Sequence, residues 1–172
     1  VAYNSDRFIG EAIDSILSQS HENLELIISD DCSTDNTWNV IQNYSDPRIR
    51  SFRNEENLGE YANRNQAIQL ARGEYLIFID ADDILYPHGL EFMVRMLHAF
   101  PDSAMAMAKP WNEKIVYPLE ITPHQLYSME FLGWRAIAIN FAHLLFRTEV
   151  LQKQDGFNLD YRAGDETIQL QI

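Results

Sequence analysis

Hydrophobic positions recur along this chain in two alternating rhythms. From Asp6 onward, Ile9, Ala12, Ile13, Ile16 and Leu17 fall at i, i+3, i+4, i+7 and i+8, one face of a helix, with Ser5 or Asp6 placed to cap its free amides. Leu24 to Ser29 is a short β-rich run that ends in the polar Asp30-Asp31-Cys32-Ser33-Thr34-Asp35. Ser33, Thr34 or Asp35 can cap a second helix carrying Trp38, Val40, Ile41 and Tyr44; Asp46-Pro47 ends it, and Ile49 to Phe52 extends. Beyond a loop with Asn57 and Gly59, a helix holding Ala62, Ala67, Ile68 and Leu70 closes at Gly73. It leads into Tyr75 to Ile79, an unbroken apolar strand running into Asp80-Ala81-Asp82-Asp83. Leu90 to Phe100 predicts a helix, Ser103 to Ala108 a strand, and Trp111 to Leu132 an irregular stretch with a short helix. Ile137 to Arg147 then reads as a strand and Thr148 to Gln154 as a helical turn, before Gly156-Phe157 and a loop lead to a last helix starting near Asp165.

Continuous apolar strands alternating with amphipathic helices imply an α/β fold: a Rossmann-like, mostly parallel sheet with helices on both faces. In that architecture ligands bind beyond the carboxyl ends of the strands, where both acidic clusters fall. The 172 residues suit one domain, and a hydrophobic share of 46% excludes a disordered chain. Thirteen Lys and Arg against 26 Asp and Glu give a net charge of −13, which excludes a nucleic-acid binder working through a broad basic face. An anionic ligand therefore needs local help. With a single cysteine, Cys32, no internal disulfide is possible, and a cytoplasmic address is the default. The most apolar stretch, Ala136 to Phe146, is too short to span a bilayer and is interrupted by Asn140 and His143; it reads as a buried strand. The abrupt start at Val1 and the stop inside an apolar pattern at Ile172 suggest a chain cut at both ends.

Asp80 and Asp82 lie two apart where a strand ends, so in an extended backbone both carboxylates would point to one side. Two hard oxygen donors suit Mg²⁺ or Mn²⁺, which take one or two carboxylates plus phosphate oxygens; such an ion would let an acidic site hold a diphosphate. Three acids after a strand are equally compatible with a solvated turn. At the earlier edge Asp31 could accept the N–H of a pyrimidine base, although Asp-rich turns also cap helices. Arg64 and Asn65 stand on the helix between the two clusters, where both could reach the donor's base or phosphates, although a helical Arg at the surface is as readily only solvated.

Asn4, Ile13, Ser15-Ile16-Leu17-Ser18-Gln19, Glu25-Leu26-Ile27-Ile28, Asp30 through Asp35, Asn57-Leu58-Gly59, Arg64-Asn65, Ala71-Arg72-Gly73-Glu74-Tyr75 and Asp80-Ala81-Asp82-Asp83 occur in that order. In this ordered set the sequence closely resembles the family 2 glycosyltransferases of GT-A fold, from end to end and most densely up to about Pro87. The resemblance implies a nucleotide-diphospho-sugar donor, a UDP-sugar or similar, a divalent metal, Mn²⁺ or Mg²⁺, held by the Asp-x-Asp, and inversion at the anomeric carbon. It places Val1, Ala2 and Tyr3, with Asn4, where the first strand meets the nucleotide. Asp31 matches the acid that binds the base, Asp80 with Ala81 the stretch near ribose and metal, and Asp82 the direct metal ligand. Val1 stands where Pro or Thr is usual, and Cys32 where Gly or Asn is common. By the same resemblance residues 1–87 form a donor-binding half and residues 88–172 an acceptor-binding half carrying the base.

An inverting transfer needs a base to take the acceptor hydroxyl proton. The family supplies it from an acid at the start of a late helix. The spacing of Ile168, Leu170 and Ile172 places Asp165 there, with Glu166 in reserve if the register slips. An Asp-Glu pair at a helix N-terminus can also simply favour the dipole. Trp111, Trp134 and Tyr161 fall in the half where aromatic faces stack on sugars, or are core. His143 reads as a packed histidine, and His88 and His124 show no ligand spacing. The expected partners are the donor and a hydroxyl acceptor such as a glycan, in polysaccharide or surface-glycan assembly. Work at the inner membrane face would come through regions outside this chain. Two rivals stand: a non-catalytic nucleotide-sugar-binding module, and a haloacid-dehalogenase-like phosphatase, against which Ile84 and the mid-chain placement of Asp80-Ala81-Asp82 count.

Overall fold

The computed structural model describes residues 1–108, 118, 120–129 and 141–159. The elements follow one another as α1 (Ile9–Leu17), β1 (Leu26–Asp30), α2 (Thr37–Gln42), β2 (Ile49–Arg53), α3 (Glu60–Leu70), β3 (Tyr75–Ile77), α4 (Gly89–Ala99), β4 (Met105–Met107), α5 (Pro123–Met129), β5 (Leu144–Arg147) and α6 (Thr148–Lys153). The α/β class is as the hydrophobic rhythm predicts. Parallel pairing is found between β1 and β2, with Leu26 opposite Ile49 and Asp30 opposite Arg53. The other described strands form an antiparallel sheet in the order β3-β5-β4. The residues before α1 join the two sheets. Ala2 bridges Asp30 in parallel, its N–H donating to the Ser29 carbonyl at 2.9 Å, while the Val1 nitrogen donates to the Ile79 carbonyl at 3.2 Å. The opening residues therefore run between β1 and the extension of β3.

Alternation along the strands separates the helix layers. Ile28 packs with Ile9, Ile13 and Ile41 of α1 and α2, while its neighbour Ser29 meets Asn63 of α3 on the opposite face. In β5, Leu144 and Phe146 join Ile68 of α3 and Leu151 of α6, whereas Leu145 between them packs on Leu90, Met93 and Leu97 of α4. At about 25 cal/mol per Å², each fully buried Leu or Ile here contributes roughly 1.5–3 kcal/mol.

Several local expectations are corrected. Neither Ser5 nor Asp6 caps α1: Phe8 is its N-cap with no side-chain bond. The Ser5 hydroxyl is drawn to the Tyr3 carbonyl, and the Asp6 N–H goes to the Asp35 carboxylate. The N-cap of α2 is Asn36, with no side-chain bond; of the three expected caps Asp35, one residue earlier, accepts the Thr37 N–H at 2.9 Å, and the Ser33 hydroxyl goes to Asp30. The buried stripe of α3 is Asn63, Arg64, Ala67 and Ile68, with Leu70 exposed, so its inward face is half polar. Regular pairing in β3 stops at Ile77. Of the stretch read as a strand from Ile137 to Arg147, residues 137–140 lie outside the described residues, Phe141–His143 form a 3-10 turn and only Leu144–Arg147 is strand. His143 is exposed on that turn, not packed. Asp165, Glu166, Trp111, Trp134 and Tyr161 lie outside the described residues.

Candidate functional site

The carboxyl ends of the opening segment, β1, β2 and the extension of β3 converge on one edge. There the chain buries polar side chains, and buried polar groups need partners. Asp30, fully buried, accepts from the Ser33 N–H and hydroxyl and pairs with Arg53 at 3.2 Å. These bonds close the turn after β1, in which Cys32 sits in the left-handed region with φ of 61°. That conformation favours Gly or Asn, and Cys32 occupies it as a small residue.

Asp31, 3% exposed, accepts from Asn54 Nδ2 at 2.8 Å and from the Leu58 and Gly59 amides at 2.9 Å each. Asn57 Nδ2 adds a bond to the Asp31 carbonyl. The Asn57-Leu58-Gly59 motif is thus a loop folded around Asp31, with Gly59 supplying the φ of 84° that lets its amide turn inward. An ionised carboxylate offers about four lone-pair directions; three are taken, which leaves room for one further donor. The Asp31 N–H donates to the Ala2 carbonyl at 2.8 Å, so Ala2 and Asp31 are brought together as the sequence suggests. The methyl side chains of Ala2 and Ala81 are both buried in the α1–α2 core. Tyr3 is half exposed, and Asn4 turns back with φ of 47° to bond Thr34 and Ser33.

The acidic turn after β3 departs from the expected extended form. The Asp83 N–H closes on the Asp80 carbonyl at 3.0 Å, so a turn, not a strand, orients Asp80 and Asp82. Asp82 is exposed. Asp80 Oδ1 is held by Arg64 Nη2 at 2.7 Å. Arg64 is fully buried, also pairs with Glu60, and lies over the Phe78 ring, so it is neither solvated nor at the surface; it reaches the site through Asp80. The turn is steadied from behind by the Ser15 to Gln19 motif. Ser15 Oγ accepts the Leu85 N–H, and buried Gln19 donates to the Leu85 and Tyr86 carbonyls while accepting the Leu90 N–H.

Among the described residues no three His, Cys, Asp or Glu side chains gather into a metal site. The donor set is an exposed Asp82 and the Asp80 oxygen not taken by Arg64. That fits Mg²⁺ or Mn²⁺, which fill their remaining positions with phosphate oxygens and water, and does not fit an all-protein cage. Sequence reasoning missed Asn54 and Asn63. Both carry a legible signal: Asn54 directly follows β2, as Asp30 and Asp31 close β1, and Asn63 is polar within the buried stripe of its helix. No helix among the described residues is long and apolar enough to cross a membrane.

Comparison with known proteins gives the family and the fold. TuaG of Bacillus subtilis (strain 168), named as a candidate teichuronic acid biosynthesis glycosyltransferase, is 44% identical over 149 residues, covering 81% of this chain and 59% of TuaG. The chain spans 60% or less of the length of the first curated relatives that it matches. S. aureus TarS in complex with UDP-GlcNAc superposes with a TM-score of 0.74 at 24% identity, over 96% of this chain and 49% of that one. The mannosyltransferase PcManGT from Pyrobaculum calidifontis, in complex with GDP-Man and Mn²⁺, gives 0.71 at 23%, over 96% and 48%. At these identities the structural likeness shows the shared GT-A fold. The model of the family described as Glycosyl transferase family 2 matches residues 1–152, and with the acidic edge built as above the chain belongs to that family.

Proposed function

We propose that this chain is the donor-binding and catalytic part of an inverting glycosyltransferase that moves a sugar from a nucleotide-diphospho-sugar to an acceptor hydroxyl in glycan assembly. The observation that carries the reading is the edge where Asp31, wrapped by its own loop, and Asp80, braced by Arg64, follow the two strands that flank Val1 and Ala2. In this reading residues 1–87 bind the donor and 88–172 the acceptor. Asp31 offers its remaining lone pair to an N–H of the base, and Ala2 to Asn4 line the nucleotide with their main chain. Asp82 and the free oxygen of Asp80 would hold a divalent ion, whose charge would offset that of the diphosphate leaving group. Arg64 holds Asp80 in one orientation. Asp165, with Glu166 in reserve, takes the acceptor hydroxyl proton as the hydroxyl oxygen attacks the anomeric carbon. UDP is the preferred nucleotide on the strength of the TarS complex, and an ion of the Mn²⁺ class on that of PcManGT.

Isothermal titration with UDP should show binding that strengthens when Mn²⁺ is added; equal and negligible binding in both conditions overturns the proposal. Asp165→Asn should abolish sugar transfer while retaining UDP binding. A protein that binds UDP but is inactive before any substitution would instead be a non-catalytic module.

A further inference from the structure

Three consecutive residues of α3 each hold a different part of the molecule. Asn63 bonds Ser29 and Asn54, and Asn54 in turn supports Asp31. Arg64 holds Asp80. Asn65 grips a peptide 92 positions away from both sides: its Nδ2 donates to the Phe157 carbonyl at 2.8 Å, and its Oδ1 accepts the Phe157 N–H at 2.7 Å. Successive helical side chains point about 100° apart, which lets three neighbours reach three separate segments. A side-chain amide that satisfies both the N–H and the C=O of one residue does the work of an adjacent strand, fixing position and orientation together.

The close approach is built into the neighbouring residue. Gly156 has φ of 83°, and a Cβ there would overlap Asn65 Oδ1 and lie 2.7 Å from its Cγ. The Phe157 ring then closes on Tyr61 and Phe78, with centroids 5.7 and 5.5 Å apart. Asn65 therefore commits both hydrogen-bonding ends to the point where the chain leaves α6 for residues 160–172.

We propose that Asn65 is a positioning residue for sugar transfer. By tying the Phe157 peptide to the same helical turn whose Arg64 holds Asp80, it sets the separation between the donor-side acids and the segment that leads to the base. The proposal rests on the reading above that the base lies beyond Phe157. In Asn65→Asp a second acceptor replaces the amide that faces the Phe157 carbonyl, so the grip is lost without a change of size. The expected result is a kcat lower by at least tenfold per folded molecule, with UDP affinity and donor KM within twofold of the unmodified protein. In Asn65→Ala, which removes the acceptor of the Phe157 N–H, exchange of that amide should quicken at least tenfold. Gly156→Ala, which drives a methyl into Asn65, should reproduce the kcat loss, and adding Asn65→Ala to it should cost no further activity. A lower melting temperature with unchanged kcat per folded molecule would overturn the positioning role, and an unchanged Phe157 amide in Asn65→Ala would overturn the grip itself. If the unmodified protein binds UDP but transfers no sugar, the transferase reading fails, while the exchange measurement still decides the grip.

Discussion

The part of this molecule that runs through α3 and the part from β3 onward are held together by different means. Among the described residues, every buried polar or charged side chain except Thr148 lies at or before Arg64, and most of them end at the ligand edge. From β3 onward the described interior is apolar apart from Thr148: Leu144, Leu145 and Phe146 of β5 serve two cores on opposite faces, joined by main-chain pairing and by half-buried side chains such as Arg147 and Gln152 that donate to main-chain carbonyls. The first arrangement stabilises little net of desolvation but permits one geometry, because each polar atom is satisfied only in that geometry. The second stabilises strongly and tolerates local repacking. A ligand edge built on the first and supported by the second keeps its charged groups oriented before any ligand arrives.

That contrast can be broken by experiment. The largest effect on stability is expected in the apolar half: Leu144→Ala should cost about 4 kcal/mol in urea unfolding, yet leave UDP affinity of the folded protein within twofold. If affinity falls as well, the scaffold and the edge are not separable. Arg64→Met should cost about 3 kcal/mol, since it removes the partner of Asp80 and Glu60 from a buried position. Unlike the leucine variant, it should also weaken UDP binding in Mn²⁺ by about tenfold, roughly 1.4 kcal/mol, by titration calorimetry. Equal UDP affinity in the two variants would erase the distinction.

Cys32→Gly acts in the opposite direction. Relief of the left-handed backbone is worth roughly 1–2 kcal/mol and the freer unfolded chain takes back about 0.4–1. A net gain of zero to about 1.6 kcal/mol should raise the melting temperature by up to about 6 °C. A loss would mean that the contact of the thiol with the Glu55 carbonyl outweighs the strain. The smallest effect belongs to the solvent-facing pair ahead of β2. Hydrogen bonds from Arg48 hold the Asp46 carboxyl down at about 2, below its ordinary 3.8. Its contribution is therefore present in full above about pH 3.8 and lost as pH falls through about 2. Asp46→Asn should flatten the fall of stability in that window and change nothing in UDP binding.

The order and class of the elements were legible because burial imprints its period on the sequence. α1 shows it most plainly: Ile9, Ala12 and Ile13 are buried where the 3.6-residue rhythm puts them. The Asp-rich edge was legible for a related reason, since polar runs directly after apolar strands mark strand ends. What escaped was partnership. Asn63 and Arg64 break the apolar pattern of α3, so pattern alone read that helix on Ala62, Ala67, Ile68 and Leu70, of which Ala67 and Ile68 are buried, and left Arg64 open between ligand contact and solvent; only Ser29 and Asp80, 34 and 16 positions away, explain why Asn63 and Arg64 are buried too. The same holds for the turn at Asp80 to Asp83, where a bond from the Asp83 N–H replaces the extended form that spacing suggested.

By itself, then, the sequence determined the α/β alternation, the family and the edge at which the acids gather, because hydrophobic period and local turn chemistry act over a few residues. Tertiary structure decided the rest: the antiparallel second sheet, the bridging place of Val1 and Ala2, the burial of Arg64 against Asp80 and the grip of Asn65 on Phe157. Each of these joins groups far apart in the chain, and a hydrogen bond's partner is fixed by distance and direction in space, which no periodicity encodes.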